Sequence, residues 1–221
     1  AVDKPISDGL RGNSNAEKVY HFFSDYGFSD AAIAGILGNL MLESGLNAKM
    51  IQGAGDRAPG MTYDELDELL ERSIYVWSDP SIPSEGIGPA VGISQWEHNA
   101  HYGGSMNPGR WEGVMAWSKK NGYSHWDLEA QLNYIIREFG IVEDPDVPLE
   151  YGVTLINEGK WACNSDEGCQ VGIKGFDNFM KTDDVVAATK TYFQFNRAGT
   201  AAMSKRIQYA KEFYAEMANW K

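Results

Sequence analysis

One acidic residue, Glu43, stands out in this 221-residue sequence because of its neighbours on a predicted helix. It follows Ile36 by seven residues and Leu40 by three, which places it on the same helical face as part of an apolar stripe. Partial burial and the negative end of the helix dipole both disfavour a charged carboxylate there. The position suits a general acid that donates a proton near neutral pH, and an exposed glutamate beside the helix-ending Gly45 fits the pattern equally well.

A second set of polar and aromatic side chains lies in the segment Gly-Ile-Ser-Gln-Trp at 92–96. Ser94, Gln95 and Trp96 offer a hydroxyl, an amide and an indole ring, which can hold an N-acetylated sugar by hydrogen bonds and ring stacking. Ordinary packing at a strand end is the competing interpretation of the Gln-Trp pair. We treat all three as candidates for substrate binding.

Two further acidic residues could complete the pair of carboxylates that glycosidases usually use. Asp56 lies in the Gly-rich loop after the Glu43 helix, and Glu97 directly follows Trp96. Each is a weaker candidate than Glu43, because acidic residues in loops are usually solvated.

His98 and His101 are three residues apart, a spacing that chelates zinc when further ligands converge. The sequence offers no persuasive third ligand, so we interpret both as surface or hydrogen-bonded histidines and expect neither a metal nor another cofactor. A metallopeptidase is accordingly the weakest alternative.

The two cysteines, Cys163 and Cys169, flank a short polar loop that can bend back on itself. We predict a disulfide between them, which suits an extracellular or virion setting, with two free thiols as the alternative.

Helical patterns dominate the elements that must position these residues. Ser14 with Glu17 and Thr62 with Glu65 form capping boxes, and Ser29 caps the helix that carries Glu43. The segment GPAVGISQW predicts a short β-hairpin, with little β structure elsewhere. Further helices are predicted over 111–120, 127–139, 149–158, 183–195 and 203–220, and the last of them is expected to bury Ile207, Ala210, Phe213, Tyr214 and Met217.

Charge and composition limit the classes of partner. A formal net charge of −12 disfavours nucleic acid and anionic lipid, and no apolar run is long enough to span a bilayer. Since the sequence begins at Ala1 without an initiator Met or a leader, we expect that a leader has been removed or that the chain comes from a larger polypeptide.

Several segments resemble the phage tail lysozyme family, which is related to goose-type lysozymes and soluble lytic transglycosylases. The specific segments are AIAGILGNLMLESGLNAKMIQ, which contains Glu43, and GPAVGISQW, which ends at Trp96. The resemblance continues through DLEAQLNYIIREF to MSKRIQYAKEFY, so it covers most of the chain from Glu17 to Met217.

The resemblance implies a mostly α-helical, lysozyme-like fold of two lobes around a glycan cleft, with a small β-hairpin region beside the cleft. Glu43 is expected at the centre of the cleft and Gln95 on one wall. The segment TYFQFNRAG resembles a cleft-lining segment of relatives, which nominates Phe195 and Asn196 for substrate binding, with helix core as the alternative for Phe195. We expect residues 14–221 to form a single catalytic domain after an N-terminal extension of residues 1–13.

The resemblance also implies cleavage of the β-1,4 bond between N-acetylmuramic acid and N-acetylglucosamine. The expected partners are peptidoglycan strands and other domains of a larger phage tail or wall-degrading protein, acting outside the cell or on the virion. Two alternatives stay open: a lytic transglycosylase that forms a 1,6-anhydro product, and a non-catalytic glycan-binding tail module.

Overall fold

A computed structural model describes residues 9–52, 60–72, 89–98, 100–102, 105–107, 110–140, 173–196 and 202–221. This part of the chain is mostly α-helical, which confirms the predicted fold class. The helices are α1 (Asn15–Asp25), α2 (Asp30–Ser44), α3 (Tyr63–Arg72), α4 (Arg110–Lys120), α5 (Leu128–Glu138), α6 (Phe176–Met180), α7 (Val185–Asn196) and α8 (Met203–Glu216), followed by a 3-10 turn (Met217–Asn219).

The chain divides into two compact units. The first consists of Ala1–Leu46 and Ile135–Lys221, and the second of Asn47–Tyr134. Helix α5 contributes residues to both, because the boundary falls within it.

The residues predicted to cap helices at Ser14, Ser29 and Thr62 do so in the structure. The predicted capping box at Ser14 is incomplete, because the Glu17 side chain accepts the N–H of Asn13 instead. Ser14 Oγ and Ser29 Oγ each accept a backbone N–H from the first turn of α1 and α2, at 3.1 and 3.2 Å. At α3, the side chains of Thr62 and Glu65 each accept the other residue's backbone N–H, which is the complete capping box. These bonds satisfy N–H groups that have no partner inside their own helix.

Helix α2 is the central element of the first unit, and every residue from 31 to 40 is buried. A helix that is apolar on all sides needs neighbours on all sides, and α1, α7 and α8 supply them. Two glycines permit close approach. A Cβ atom at Gly35 would lie 2.6 Å from the Ala188 carbonyl carbon of α7, and one at Gly38 would lie 2.5 Å from the Arg206 carbonyl oxygen of α8.

Aromatic rings fill another part of the first unit's core. The rings of Phe139 and Phe195 stack with their centroids 4.5 Å apart. Phe28, Phe176 and Phe179 pack around Phe139 at centroid distances of 5.3 to 6.2 Å. The end of α5 is thereby tied to α6 and α7 by contacts between rings.

The described part of the second unit contains two short antiparallel strand pairs. Strands β1 (Ala90–Val91) and β2 (Trp96–Glu97) enclose the turn at 92–95, which confirms the predicted hairpin. Strands β3 (Ala100–Tyr102) and β4 (Ser105–Asn107) form a second hairpin that the sequence did not predict, because three-residue strands are too short to show an alternating pattern.

Two other features differ from the sequence predictions. Helix α6 was missed, since five residues give too little periodicity to recognise. The buried face of α8 consists of Met203, Arg206 and Ala210. Tyr214 was predicted to be buried there, but this was wrong, because 45% of the residue is exposed.

Some predicted features lie outside the described residues, among them the helix over 149–158. Within the described ranges, no helix combines the length and the apolar character needed to cross a membrane.

Candidate active site

Glu43 occupies the last turn of α2, just before the helix ends at Gly45. Gly45 has a φ of 61°, a left-handed conformation that glycine adopts without steric cost, and its N–H donates to the Met41 carbonyl oxygen. The Glu43 side chain is 15% exposed, so it is largely buried but still reaches solvent. This position agrees with the prediction that Glu43 lies on the same helical face as part of the apolar stripe, and it differs from a solvated surface glutamate.

A buried arginine of α8, Arg206, binds the Glu43 carboxylate. Its Nη2 donates to Glu43 Oε1 at 2.5 Å, and its Nη1 donates to Asn39 Oδ1 at 3.0 Å. One guanidinium group therefore spans two residues that are one turn apart on α2. The Arg206 side chain is only 1% exposed, and its guanidinium carbon lies 4.9 Å from the ring centroid of Phe193 in α7. Planar, permanently charged arginine suits such a two-point contact.

Asn39 holds this arrangement from the α2 side. Its Nδ2 donates to the carbonyl oxygens of Gly35 at 2.8 Å and Thr189 at 3.0 Å, while its Oδ1 accepts from Arg206. Both amide hydrogens and the amide oxygen thus have partners, as a fully buried side chain requires. Asn39 links α2 to both α7 and α8 directly beside Glu43.

The two oxygens of the Glu43 carboxyl group have different surroundings, because the Arg206 guanidinium binds one of them. Oε1 faces this positively charged donor, and no hydrogen bond to Oε2 is made by any residue that the structure describes. A proton on this carboxyl group therefore resides on Oε2.

In the second unit, Gln131 of α5 shapes the turn between β1 and β2. Its Oε1 accepts the Ile93 N–H at 2.8 Å, and its Nε2 donates to the carbonyl oxygens of Ala48 and His125, each at 2.8 Å. The Gln131 side chain is fully buried. Since each bond satisfies a backbone group, Gln131 fixes three segments of the chain around one amide.

Gln95 lies in the turn that Gln131 supports, with a φ of 53° that non-glycine residues rarely adopt. Its Nε2 donates to the Gly92 carbonyl oxygen at 2.9 Å and, at a long 3.4 Å, to that of Met50. These bonds hold the amide and leave its Oε1 without a partner among the described residues. The Ser94 hydroxyl, which is buried, likewise has no hydrogen bond within the described part of the chain.

The other three residues predicted to bind substrate are buried. Trp96 is 1% exposed, and its ring lies 6.2 Å from the ring centroid of Trp111 and 5.8 Å from that of Tyr134. Phe195 is equally buried in its stack on Phe139, and Asn196 is buried at the end of α7. Both aromatic rings have the packing contacts of core residues, which is the alternative interpretation that the sequence left open.

The remaining candidates for chemistry lie wholly or partly beyond the described residues. Asp56, Cys163 and Cys169 belong to ranges that are not described. Of Glu97, only the backbone position in β2 is described. The predicted second carboxylate and the predicted disulfide therefore stay predictions.

His98 has the partner expected of a hydrogen-bonded histidine, since its Nδ1 contacts Glu112 Oε1. The side chain of His101 lies outside the described residues. Within the described ranges, no three His, Cys, Asp or Glu side chains come together in a group that could hold a metal ion.

A comparison with known protein families shows to which family this chain belongs. The family model described as phage tail lysozyme matches residues 14–217, which is most of the chain. This chain belongs to the phage tail lysozyme family. No curated protein matches the sequence. Family membership confirms the resemblance predicted from the segments around Glu43 and Gln95, and it supports a lysozyme-like, muralytic enzyme that acts on the peptidoglycan of the cell wall.

Two buried polar residues, Arg206 and Gln131, are not among the residues predicted from the sequence. Arg206 lies three residues after Met203 and four before Ala210, so a cation occupies the apolar face of α8. A charged residue in such a place indicates a buried partner and could have been recognised. Gln131 carries no comparable signal, because its three partners come from separate parts of the chain.

Proposed function

We propose that this member of the phage tail lysozyme family hydrolyses the β-1,4 bond between N-acetylmuramic acid and N-acetylglucosamine, with Glu43 as the general acid. The observation that carries this proposal is a largely buried carboxyl group with Oε1 bound to Arg206 and Oε2 without a partner among the described residues. Such a group can offer a proton from one defined oxygen. Membership of a lysozyme family supports the class of substrate.

The reaction begins when Glu43 donates the Oε2 proton to the glycosidic oxygen as the bond from that oxygen to the anomeric carbon breaks. The departing N-acetylglucosamine gains a free hydroxyl, and the muramic acid ring passes through an oxocarbenium-like state. Water then adds to the anomeric carbon and releases a proton to a carboxylate. The products are a reducing N-acetylmuramic acid and a shortened glycan strand.

Asp56 and Glu97 are the proposed candidates for the carboxylate that positions and deprotonates this water. The variants Asp56→Asn and Glu97→Gln test them, since each keeps the size of the side chain and removes the base. If one of these variants loses hydrolysis but still binds cell walls, the residue changed in it is the carboxylate that deprotonates the water.

Gln95 is the proposed ligand of the N-acetylated sugar, whereas Ser94, whose hydroxyl is buried, stays a prediction from the sequence. The Oε1 atom of Gln95 can accept the N–H of an acetamido group. Support comes from this oxygen, which lacks a partner in the described part of the chain. Because Gln95 Nε2 also holds the turn, Gln95→Glu, which exchanges that donor for a carboxylate oxygen, is expected to disturb the turn as well as sugar binding.

The direct test is digestion of purified peptidoglycan by Glu43→Gln, with muropeptides measured by mass spectrometry. Glu43→Gln keeps the size of the side chain but removes the transferable proton, so we expect release to fall at least about a hundredfold. Glu216→Gln makes the same chemical change at an exposed position of α8 and is expected to retain wild-type release. Wild-type release by Glu43→Gln would refute the assignment.

The mass of the products separates the proposed hydrolysis from its alternatives. A hydrolase leaves a reducing muramic acid, whereas a lytic transglycosylase leaves an anhydro sugar that is lighter by one water. A non-catalytic tail module binds the walls and releases no fragments. We expect the reducing product.

A further inference from the structure

We propose that Arg206 is a positioning residue for the reaction, which holds Glu43 so that Oε2 exchanges the proton with the glycan. This inference rests on the proposed role of Glu43. It follows from the two hydrogen bonds that the Arg206 guanidinium donates, one to Glu43 Oε1 and one to Asn39 Oδ1.

The guanidinium is itself held from three directions. Asn39 and Glu43 accept its hydrogen bonds from α2, and the ring of Phe193 in α7 lies 4.9 Å from its central carbon. Asn39 is in turn fixed by its bonds to the carbonyl oxygens of Gly35 and Thr189. A cation anchored in this way can transmit a defined orientation to the carboxyl group that it binds.

Arg206 has no means of contacting the substrate itself, because only 1% of its side chain is exposed, against 15% of the Glu43 side chain. Its effect on the reaction must pass through Glu43. Holding Oε1 limits the rotation of a flexible side chain and confines the proton to Oε2. The same charge stabilises the carboxylate that Glu43 becomes once the proton has left.

A purely stabilising role explains this pair less well. Buried ion pairs are weak sources of stability, because removing two charges from water costs about as much as their attraction returns. Around Arg206, the buried face of α8 is otherwise formed by Met203 and Ala210, which are apolar. On this face of α8 the cation binds an acidic group that still reaches solvent.

The test compares Arg206→Met and Arg206→Lys in steady-state assays with soluble, uncrosslinked peptidoglycan strands. We expect Arg206→Met to lower kcat roughly tenfold to hundredfold, because misplacing a catalytic group by about 1 Å can cost that much. KM stays at the wild-type value, since Arg206 does not touch the substrate. Arg206→Lys restores the charge but not both contacts, so its kcat is expected to lie between those of Arg206→Met and the wild type.

Phe179→Leu is the matched control for lost stability, because it alters the aromatic core of the first unit without touching Arg206 or Glu43. It is expected to lower the unfolding temperature and keep the wild-type kcat. A folded Arg206→Met with wild-type kcat, or with a raised KM and an unchanged kcat, overturns the positioning role. If Arg206→Met does not fold, wild-type kcat in Arg206→Lys overturns it instead.

Glu43→Gln distinguishes a failure of this proposal from a failure of the proposed function. If Glu43→Gln retains wild-type turnover, Glu43 is not the acid and the positioning role fails with it. If Glu43→Gln is inactive while Arg206→Met keeps its kcat, only the role of Arg206 is refuted.

Discussion

Glu43 and Tyr63 show how one hydrogen-bond partner determines where a proton resides. Glu43 Oε1 accepts a hydrogen bond from the Arg206 guanidinium, so a proton carried by this carboxyl group is on the other oxygen. The Tyr63 hydroxyl has the opposite environment, because it donates to the carboxylate of Asp127 at 2.6 Å. A carboxylate beside a phenol keeps the proton on the phenol.

Tyr63 gives a prediction at high pH. The hydrogen bond to Asp127 raises the pKa of the Tyr63 phenol from 10.0 to about 12, and burial and the Asp127 charge act in the same direction. Since the pKa is higher in the folded state, this interaction stabilises the fold fully below pH 10 and is lost as the pH rises through 12. We expect ultraviolet titration of tyrosinate to show a step near pH 12 that Tyr63→Phe removes.

Asp127→Asn is the control for this titration. It removes the charge but keeps an acceptor oxygen, so the Tyr63 step is expected to move toward the ordinary phenol pKa of about 10. A step near pH 12 that persists in Tyr63→Phe contradicts the assignment.

At the scale of elements, the contact between α2 and α8 places the acid and its arginine within reach of each other. Gly38 permits this contact, because a Cβ atom there would lie 2.5 Å from the Arg206 carbonyl oxygen and 2.8 Å from the Ala210 Cβ. A backbone atom cannot move aside as a flexible side chain can. The glycine therefore determines how closely α8, and with it Arg206, approaches α2.

Gly38→Ala is expected to destabilise the protein. Overpacking costs about 1–3 kcal/mol, and the better helix propensity of alanine returns about 1 kcal/mol, so the net loss is at most about 2 kcal/mol. We expect the upper end of this range, because the atom that the Cβ would meet at 2.5 Å belongs to the backbone. Chemical denaturation measures the free energy of unfolding. Gly60→Ala is the control, because a Cβ atom there meets nothing within 4 Å and its effect should stay within about 0.5 kcal/mol. If Gly38→Ala is as stable as the wild type, α2 and α8 can move apart at little cost in free energy, which contradicts the prediction.

Features that depend on neighbouring residues could be predicted from the sequence. The caps at Ser14, Ser29 and Thr62, the helix that carries Glu43 and the β1–β2 hairpin are of this kind. Each is determined by interactions over a few residues, so its signal lies in a short window. The family resemblance could likewise be predicted, because its motifs are contiguous segments.

Features that depend on distant partners could not be predicted. Arg206 meets Glu43 across 163 residues of sequence, so the local pattern of α8 suggested a buried Tyr214 instead of a buried cation. The structure also shows that the Trp96 ring packs against the rings of Trp111 and Tyr134. The motif alone could not show whether this ring packs in the core or stacks on a sugar. Both cases depend on tertiary contacts, and the spacing of apolar residues along the sequence does not reveal such contacts.

At the scale of the whole molecule, the formal net charge of −12 affects how the enzyme approaches a cell wall. Walls that carry anionic teichoic acid repel such a protein, and salt screens this repulsion. Long-range attraction is therefore not the means by which it reaches its substrate. We expect short-range recognition of the glycan to supply the affinity.

This charge predicts an unusual response to salt. At about 0.01 M salt, where the screening length is about 30 Å, we expect faster clearing of walls stripped of teichoic acid than of intact walls. At about 0.15 M, where that length is about 8 Å, the difference should shrink. Turbidity measurements on the two wall preparations test this. Faster clearing of intact walls at low salt runs against the expectation.

The central claim, that Glu43 supplies the proton to the departing sugar, is tested most directly by the dependence of the rate on the leaving group. A dinitrophenyl leaving group needs no protonation, whereas a sugar leaving group does. We expect Glu43→Gln to cleave a dinitrophenyl glycoside of an N-acetylglucosamine oligomer at close to the wild-type rate, and to lose activity on the corresponding oligosaccharide. Equal losses on both substrates, or activity on both, would contradict the role of Glu43 as general acid.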